Sequence, residues 1–327
     1  MKNRVCELLK IEKPVMLAAM IYICEAQLAA AVCNAGGLGM LGMNCGVDTP
    51  ERDPVKNGEN MRKQVRKLRT LTDKPFAVNY IPPFPGTDPA LNFALPYKKI
   101  IIEEKVPVVL MIGNMEDGNI EDEIRDFKDA GVTVVYREVS CTLIACIRAA
   151  MAGADAIVVT GCDAGGHVSK YAMSLISILP QVTDAITGIP VIASGGIINA
   201  KGARAAAAMG AEGVYCGTAF MVAKEGRLHE NYVNTLLKTT GEEIIVWKGS
   251  TARMSTTNNY VGRICRALDR GGASAWDIGS QYGGTFEASM LKGDTDRGCV
   301  TVNSAIGAIT ESRPAKAILD DIAKGFK

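Results

Sequence analysis

The amino-acid sequence predicts a closed barrel of eight parallel strands alternating with helices, a (β/α)8 barrel of the TIM type. Three observations lead there. Short apolar runs alternate with helical patterns at β/α spacing through most of the chain. The stretch from Ile189 to Met221, IPVIASGGIINAKGARAAAAMGAEGVYCGTAFM, reads as strand, glycine turn, helix, strand and second glycine turn. No G-x-G-x-x-G follows the first strand, which removes the best marker of the open, doubly wound alternative.

The elements follow in order. Val15 to Ala18 is a short apolar run, and Cys24 to Ala35, rich in alanine, suits a helix packed closely on a sheet. Leu38 to Leu41, between glycines, is strand 2. Residues 44–58 read as a polar loop, and Glu59 to Leu71 as an amphipathic helix with Met61, Val65, Leu68 and Leu71 on one side. Phe76 to Asn79 is strand 3, after which Tyr80-Ile-Pro-Pro-Phe-Pro-Gly-Thr-Asp-Pro predicts an extended loop able to wall a pocket. Leu95 to Glu104, Ile120 to Ala130 and Cys141 to Ala152 are helices; Val108 to Ile112, Val132 to Tyr136 and Ala156 to Thr160 are strands 4 to 6. Pro190 to Ala193 and Gly213 to Tyr215 supply strands 7 and 8, with the helix Asn199 to Met209 between them.

Beyond Met221 the rhythm changes. Glu225 to Thr240 is helical, Ile244 to Trp247 is a short strand, and Ser250 to Gly293 carries little strand signal. The expected organisation is a barrel over residues 1–224, a small subdomain over the barrel mouth at 225–293, and a return to the barrel at 294–327, where Ser304 to Lys327 forms its last helix. A bare barrel needs about 250 residues, so 327 leave room for the addition.

Composition narrows the function classes. With 36 basic and 35 acidic residues and a net charge of +1, nothing points to nucleic acid or an anionic membrane surface, so a small-molecule partner is expected. The apolar run from Val15 is interrupted by Glu25, Gln27 and Asn34 and ended by glycines, which suits a strand and helix better than a membrane span. The N-terminus has no signal-peptide pattern. Ten cysteines are scattered without a C-x-x-C pair or a zinc set; no metal site is expected, and a reduced, cytoplasmic setting follows. Oligomeric state is not legible, and a homodimer is compatible with the sequence.

Two stretches carry chemistry. The glycine turns at Gly195-Gly196 and Gly217-Thr218 follow the last two barrel strands, where backbone N–H groups and a helix N-terminus can converge on a phosphate. Strand 6 runs into Thr160-Gly-Cys-Asp-Ala-Gly-Gly-His167, placing a histidine where it can exchange a proton with a ligand in the mouth. Asp163 either orients that histidine or caps the loop. The other histidine, His229, is assigned to solvent. Cys162 and Cys216 lie on the same face without an evident basic neighbour, which argues against a nucleophile.

GADAIVVTGCDAGGHVSK, followed by IPVIASGGIINAKGARAAAAMGAEGVYCGTAFMVAKE, resembles the nitronate monooxygenase (2-nitropropane dioxygenase) and type II enoyl-ACP reductase superfamily of FMN-dependent barrels. KPVMLAAM, AAAVCNAGGLGMLG, LTDKPFAVN and KGDTDRGCVTVNSAIGAI extend the likeness over nearly the whole chain. The resemblance implies that Ala18, Ala19 and Met20 lie against the flavin ring with Asn79 and Gly113 beside it. It places Gly165 and Gly166 along the ribityl chain, Gly195, Gly196, Gly217 and Thr218 at the phosphate, and Asn303 and Ser304 in a flavin-contacting tail.

By the same resemblance, His167 is the catalytic residue, taking a proton alpha to a nitro group in nitronate oxidation. The alternative activity is reduction of an enoyl thioester or other activated alkene with NADH or NADPH as reductant. A more distant alternative, a flavin-free phosphosugar isomerase or lyase, would need acid/base carboxylates, for which Asp163 and Glu138 are the candidates. This chain departs from the family pattern in having alanines at 18 and 19 where two glycines are usual, and in the Val168-Ser169-Lys170 sequence after His167; Lys170 reads mainly as a solvated surface residue.

Overall fold

The structure, a computed structural model, describes residues 3–83, 92–113, 120–249 and 252–327. Of the proline-containing loop expected after Asn79, residues 84–89 lie outside the described residues.

Helix α1 (Arg4–Leu9) opens the chain, with the Asn3 side chain accepting from the Cys6 N–H as its cap. Strand β1 (Val15–Leu17) leads to α2 (Ala26–Asn34), β2 (Gly39–Leu41) to α3 (Pro54–Leu71), and β3 (Phe76–Tyr80) to α4 (Ala94–Glu103). Then come β4 (Val108–Gly113), α5 (Ile120–Asp129), β5 (Thr133–Glu138) and α6 (Leu143–Met151). β6 (Ala156–Thr160) is followed by a three-residue strand β7 (Gly166–Val168) and α7 (Leu175–Ala185). β8 (Val191–Ser194), α8 (Ala200–Ala208), β9 (Gly213–Cys216) and the single turn α9 (Thr218–Met221) complete the circuit.

Eight of these strands pair in parallel in the order β1-β9-β8-β6-β5-β4-β3-β2. The ring closes between its two ends, where Met16 bridges Leu38 and the Leu17 N–H donates to the Leu38 carbonyl at 2.9 Å. The strands are apolar on both faces because each is covered by side chains inside the barrel and by helices outside. Parallel order puts every strand's C-terminal end at one mouth, which is where a β/α barrel carries its site.

After α9 come α10 (Glu230–Lys238), β10 (Ile244–Lys248), β11 (Arg253–Thr257), α11 (Tyr260–Arg270), α12 (Ala275–Tyr282) and α13 (Thr285–Met290). β10, β11 and β7 form a separate antiparallel sheet. Its own apolar cluster is centred on Trp247, whose ring meets Tyr282 edge-on at 4.8 Å and whose indole N–H donates to Thr256. The last helix, α14 (Ala315–Ala323), packs between α8 and α2 across the closing seam.

Several elements differ from the sequence expectation. α10 starts at Glu230 rather than Glu225, the last helix is confined to Ala315–Ala323 because Ser304–Ala308 is a separate 3₁₀ turn, and β7, α11, α12 and α13 correspond to no expected element. α3 starts at Pro54, not Glu59, because Asp53 accepts from the Val55 and Lys56 N–H groups and Pro54 fits the first turn; Gly58 inside it lets Pro96 of α4 approach closely. β5 runs on to Glu138, two residues past the expected end. α7 falls in a stretch given no element in the sequence reading, although Leu175, Ile178, Leu179 and Val182 form one buried face at helical spacing around Pro180. β11 lies in the segment expected to lack strand, where Ser255, Thr256 and Thr257 are buried by pairing rather than by apolar character. Among the described residues, no helix is long and apolar enough to cross a membrane.

The closest approach in the seam yields a test. A Cβ on Gly39 would stand 2.1 Å from the Ala29 carbonyl oxygen of α2 and 2.6 Å from Cys33 Sγ. Gly39→Ala should therefore cost about 1–3 kcal/mol through overpacking, read as a lower urea midpoint in far-UV circular dichroism. A midpoint equal to that of the wild type would contradict the packing of α2 on β2.

Candidate active site

A cavity of about 460 Å³ opens at the C-terminal ends of the barrel strands. It is lined by Ala18, Ala19 and Met20 after β1, Asn79 on β3 and Gly113 at the end of β4. Gly165, Gly166 and His167 line it from the segment after β6, Gly195 and Gly196 from the turn after β8, Gly217 and Thr218 from the turn after β9, and Asn303 from the tail. Thirteen of the fourteen residues singled out in the sequence thus meet at one surface. Ser304 does not. Asn303 accepts from the Ala305 N–H and starts a short 3₁₀ turn, which carries Ser304 outward to an exposed position.

The glycine turns have the properties of an anion cradle. Gly195 and Gly196 hold φ of +111° and +68°, a region that favours glycine. Among the described residues, the N–H groups of Gly195, Gly196, Gly217 and Thr218 have no hydrogen-bond acceptor. Thr218 is buried and the three glycines are half-buried at the cavity wall, so their N–H groups stand ready for an acceptor in the cavity. The N–H groups of Lys201 and Gly202 in the first turn of α8 do not add to it, because the Asn199 side chain already accepts from both.

His167 lies on a strand rather than in a loop. It sits opposite Met254 in the pairing of β7 with β11, and its exposed side faces the cavity. Water reaches the ring there, but the surrounding walls leave little room to solvate a charge. That enclosure first, and the nearby Arg137 charge second, lower its pKa from 6.5 to about 4. The imidazole is therefore neutral at ordinary pH, the form that can accept a proton.

Asp163 does not orient it. Its carboxylate accepts from the Leu175 N–H at 2.6 Å and so caps α7. His229 is half-buried and caps α10 by accepting from the Asn231 N–H, rather than standing in solvent. Glu138 is buried, accepts from the Tyr136 hydroxyl and does not line the cavity. Burial pushes the Cys216 thiol up to about 12 and also raises Cys162, so neither is an activated nucleophile. Lys170 is exposed, over the Tyr171 ring.

The decisive likeness covers this whole arrangement: the sequence profile of nitronate monooxygenase matches residues 2–325. The chain belongs to the nitronate monooxygenase family. Nitronate monooxygenase from Paraburkholderia phytofirmans is 30% identical over 305 residues, covering 82% of this chain and 76% of that protein. The nitronate monooxygenase of Pseudomonas aeruginosa is 31% identical over 304 residues, covering 82% and 80%. Among solved structures, FabK from Thermotoga maritima matches with a TM-score of 0.85 at 30% identity, over 100% of this chain and 96% of that one. Nitroalkane oxidase from Streptomyces ansochromogenes shares the fold, with a TM-score of 0.79 at 22% identity over 99% of each chain. The chain is accordingly an oxidoreductase of the nitronate monooxygenase family.

One group of this nitronate monooxygenase family site escapes a reading of motifs. Arg137, near the end of β5, is buried, lines the cavity and donates through Nε to Thr160 Oγ1 at 3.0 Å. A second N–H reaches toward the His167 carbonyl at 3.5 Å. Among the described residues no carboxylate pairs with it. The signal that could have found it is a charged residue at a barrel strand's C-terminal end.

The pKa of His167 has a consequence for stability. Folded, the ring stays unprotonated down to about pH 4; unfolded, it takes a proton below about pH 6.5. Its contribution is complete above pH 6.5 and lost as pH falls from there toward 4. The drop in urea midpoint between about pH 7 and about pH 4.5 should therefore be smaller in His167→Gln than in the wild type. Equal drops would show that His167 titrates normally.

Proposed function

We propose that this chain is an FMN-dependent nitronate monooxygenase in which His167 is the catalytic base. The observation that carries the reading is that a neutral imidazole, a buried guanidinium that meets no carboxylate among the described residues, and the N–H groups of two glycine turns share one largely apolar cavity.

The residues present fit FMN. The N–H groups of Gly195, Gly196, Gly217 and Thr218 would hold its phosphate, and Gly165 and Gly166 would border its ribityl chain. Ala18, Ala19, Met20, Asn79, Gly113 and Asn303 would surround its ring. When bound, FMN supplies a redox ring that takes electrons from the substrate and passes them to O2.

His167, which lines the cavity, takes the proton alpha to the nitro group from a neutral nitroalkane. Arg137 favours the nitronate anion that results, because a buried cation without a counter-charge gains most from one. Met20, Ile21, Ile112, Phe286 and Met290 make much of the remaining wall apolar, which suits the alkyl part of a nitroalkane. The likeness to FabK supports one other reading, reduction of an enoyl thioester or activated alkene by NADH or NADPH through the same site.

Three results are expected. His167→Ala should keep its flavin and lose about 100-fold in turnover of neutral nitroalkanes, while nitronates prepared beforehand by base lose far less. Equal losses on both would remove His167 from the proton step. Gly196→Leu should purify without flavin, since a side chain at that backbone angle fills the cradle; a fully loaded variant would place the phosphate elsewhere. Under anaerobic conditions the flavin absorbance should bleach on addition of an alkyl nitronate and stay unchanged with NADH or NADPH. Rapid bleaching by a nicotinamide alone would instead favour the reductase.

A further inference from the structure

The turn after β1 is held more tightly than a bare backbone turn. The Ala18 N–H donates to the Cys216 carbonyl at 2.9 Å, and the Ala18 carbonyl accepts from the Cys24 thiol at 3.1 Å. Burial pushes that thiol up to about 12, so it remains a donor. The third tie comes from a side chain of β9: the Ala19 N–H donates to the Tyr215 hydroxyl oxygen at 2.7 Å.

Tyr215 is 4% exposed, and the surface it keeps lines the cavity. Burial raises its pKa, so the phenol keeps its proton. Its oxygen is already engaged as an acceptor. Among the described residues no acceptor is found for its own hydrogen. A buried hydroxyl left with a free donor beside a cavity implies a ligand acceptor there, since leaving it unmade is costly. The position matters because Tyr215 touches the same turn that is read as lying against the cofactor ring.

We infer that Tyr215 binds the cofactor, fixing the Ala18–Met20 turn through its oxygen and donating its hydroxyl hydrogen to an acceptor on the bound flavin ring. This rests on the FMN reading.

The test is FMN titration of apoprotein, followed by flavin fluorescence, with the visible spectrum and midpoint potential of each loaded form. Tyr215→Phe removes one oxygen and keeps the ring. It should weaken FMN binding about fivefold, the worth of one hydrogen bond, and shift both the flavin absorption bands and the potential. Cys24→Ala loosens the same turn without removing a donor from the cavity, and should leave bands and potential as in the wild type. The inference is overturned if Tyr215→Phe matches the wild type in affinity and spectrum, or if Cys24→Ala reproduces all of its effects. Failure of wild-type apoprotein to bind FMN would overturn the FMN reading itself, a separate outcome.

Discussion

The closing contact between β1 and β2 is the constraint on which the rest depends. Only three residues of each strand are in play, and the seam is a single bridge, Met16 to Leu38, with its neighbouring backbone bonds. Because the ring closes, eight parallel strands point their C-terminal ends at one place, and residues 18, 79, 137, 195 and 217, far apart in sequence, become neighbours. An open sheet would spread the same residues along an edge. The glycines at the seam serve this closure: α2 must lie close enough to β2 that any side chain at Gly39 meets backbone. α14 then covers the joint from outside, which ties the end of the chain to its beginning.

Within the mouth, the energetics are those of a few polar groups in apolar surroundings. Arg137 is held by Thr160 and, among the described residues, meets no carboxylate, so its field falls on the groups around it, lowering the pKa of His167 and opposing the rise at Tyr215. Desolvation is nonetheless the first cause at both residues, and it acts in opposite directions on their pKa values while favouring the neutral form of each. Among the described residues, the cavity lining therefore presents a neutral imidazole, a neutral phenol and the Arg137 charge. That combination is poorly suited to a cationic ligand and well suited to an anion formed in place.

Much of this was legible in the sequence, and the reasons are physical. Buried parallel strands must be apolar and short, so they stand out; turns that need positive φ or close approach need glycine, so Gly195 and Gly196 stand out as well. What stayed hidden were features that depend on partners. Arg137 follows an apolar run and reads as its end, yet β5 continues through it because β4 pairs with it as far as Gly113. The 253–257 segment has no strong strand composition and is a strand because Gly166 to Val168 and β10 flank it. Ser304 was carried along with its neighbour Asn303, and only the turn geometry separates them. Tyr215 looked like an ordinary apolar strand residue until its hydroxyl was found against Ala19.

The pairing of β7 with β11 changes what the C-terminal part of the chain does. A segment merely lying over a mouth could shield a ligand without affecting the base. Here β11 supplies the backbone that fixes His167, with Met254 opposite it, and β11 in turn is anchored by Ser255, whose hydroxyl donates to the Val302 carbonyl one residue before Asn303. Phe286 and Met290, from the last helix before the tail, meet the same cavity. The cavity is thus lined from two separate sheets, linked in the chain by the short connection from β6 of the barrel to β7 of the smaller sheet. The barrel delivers the cradle and the cation; the smaller sheet sets the direction of the imidazole. Changes in the buried core around Trp247 therefore have a direct route to the placement of His167, through β11 to β7, without passing through the barrel.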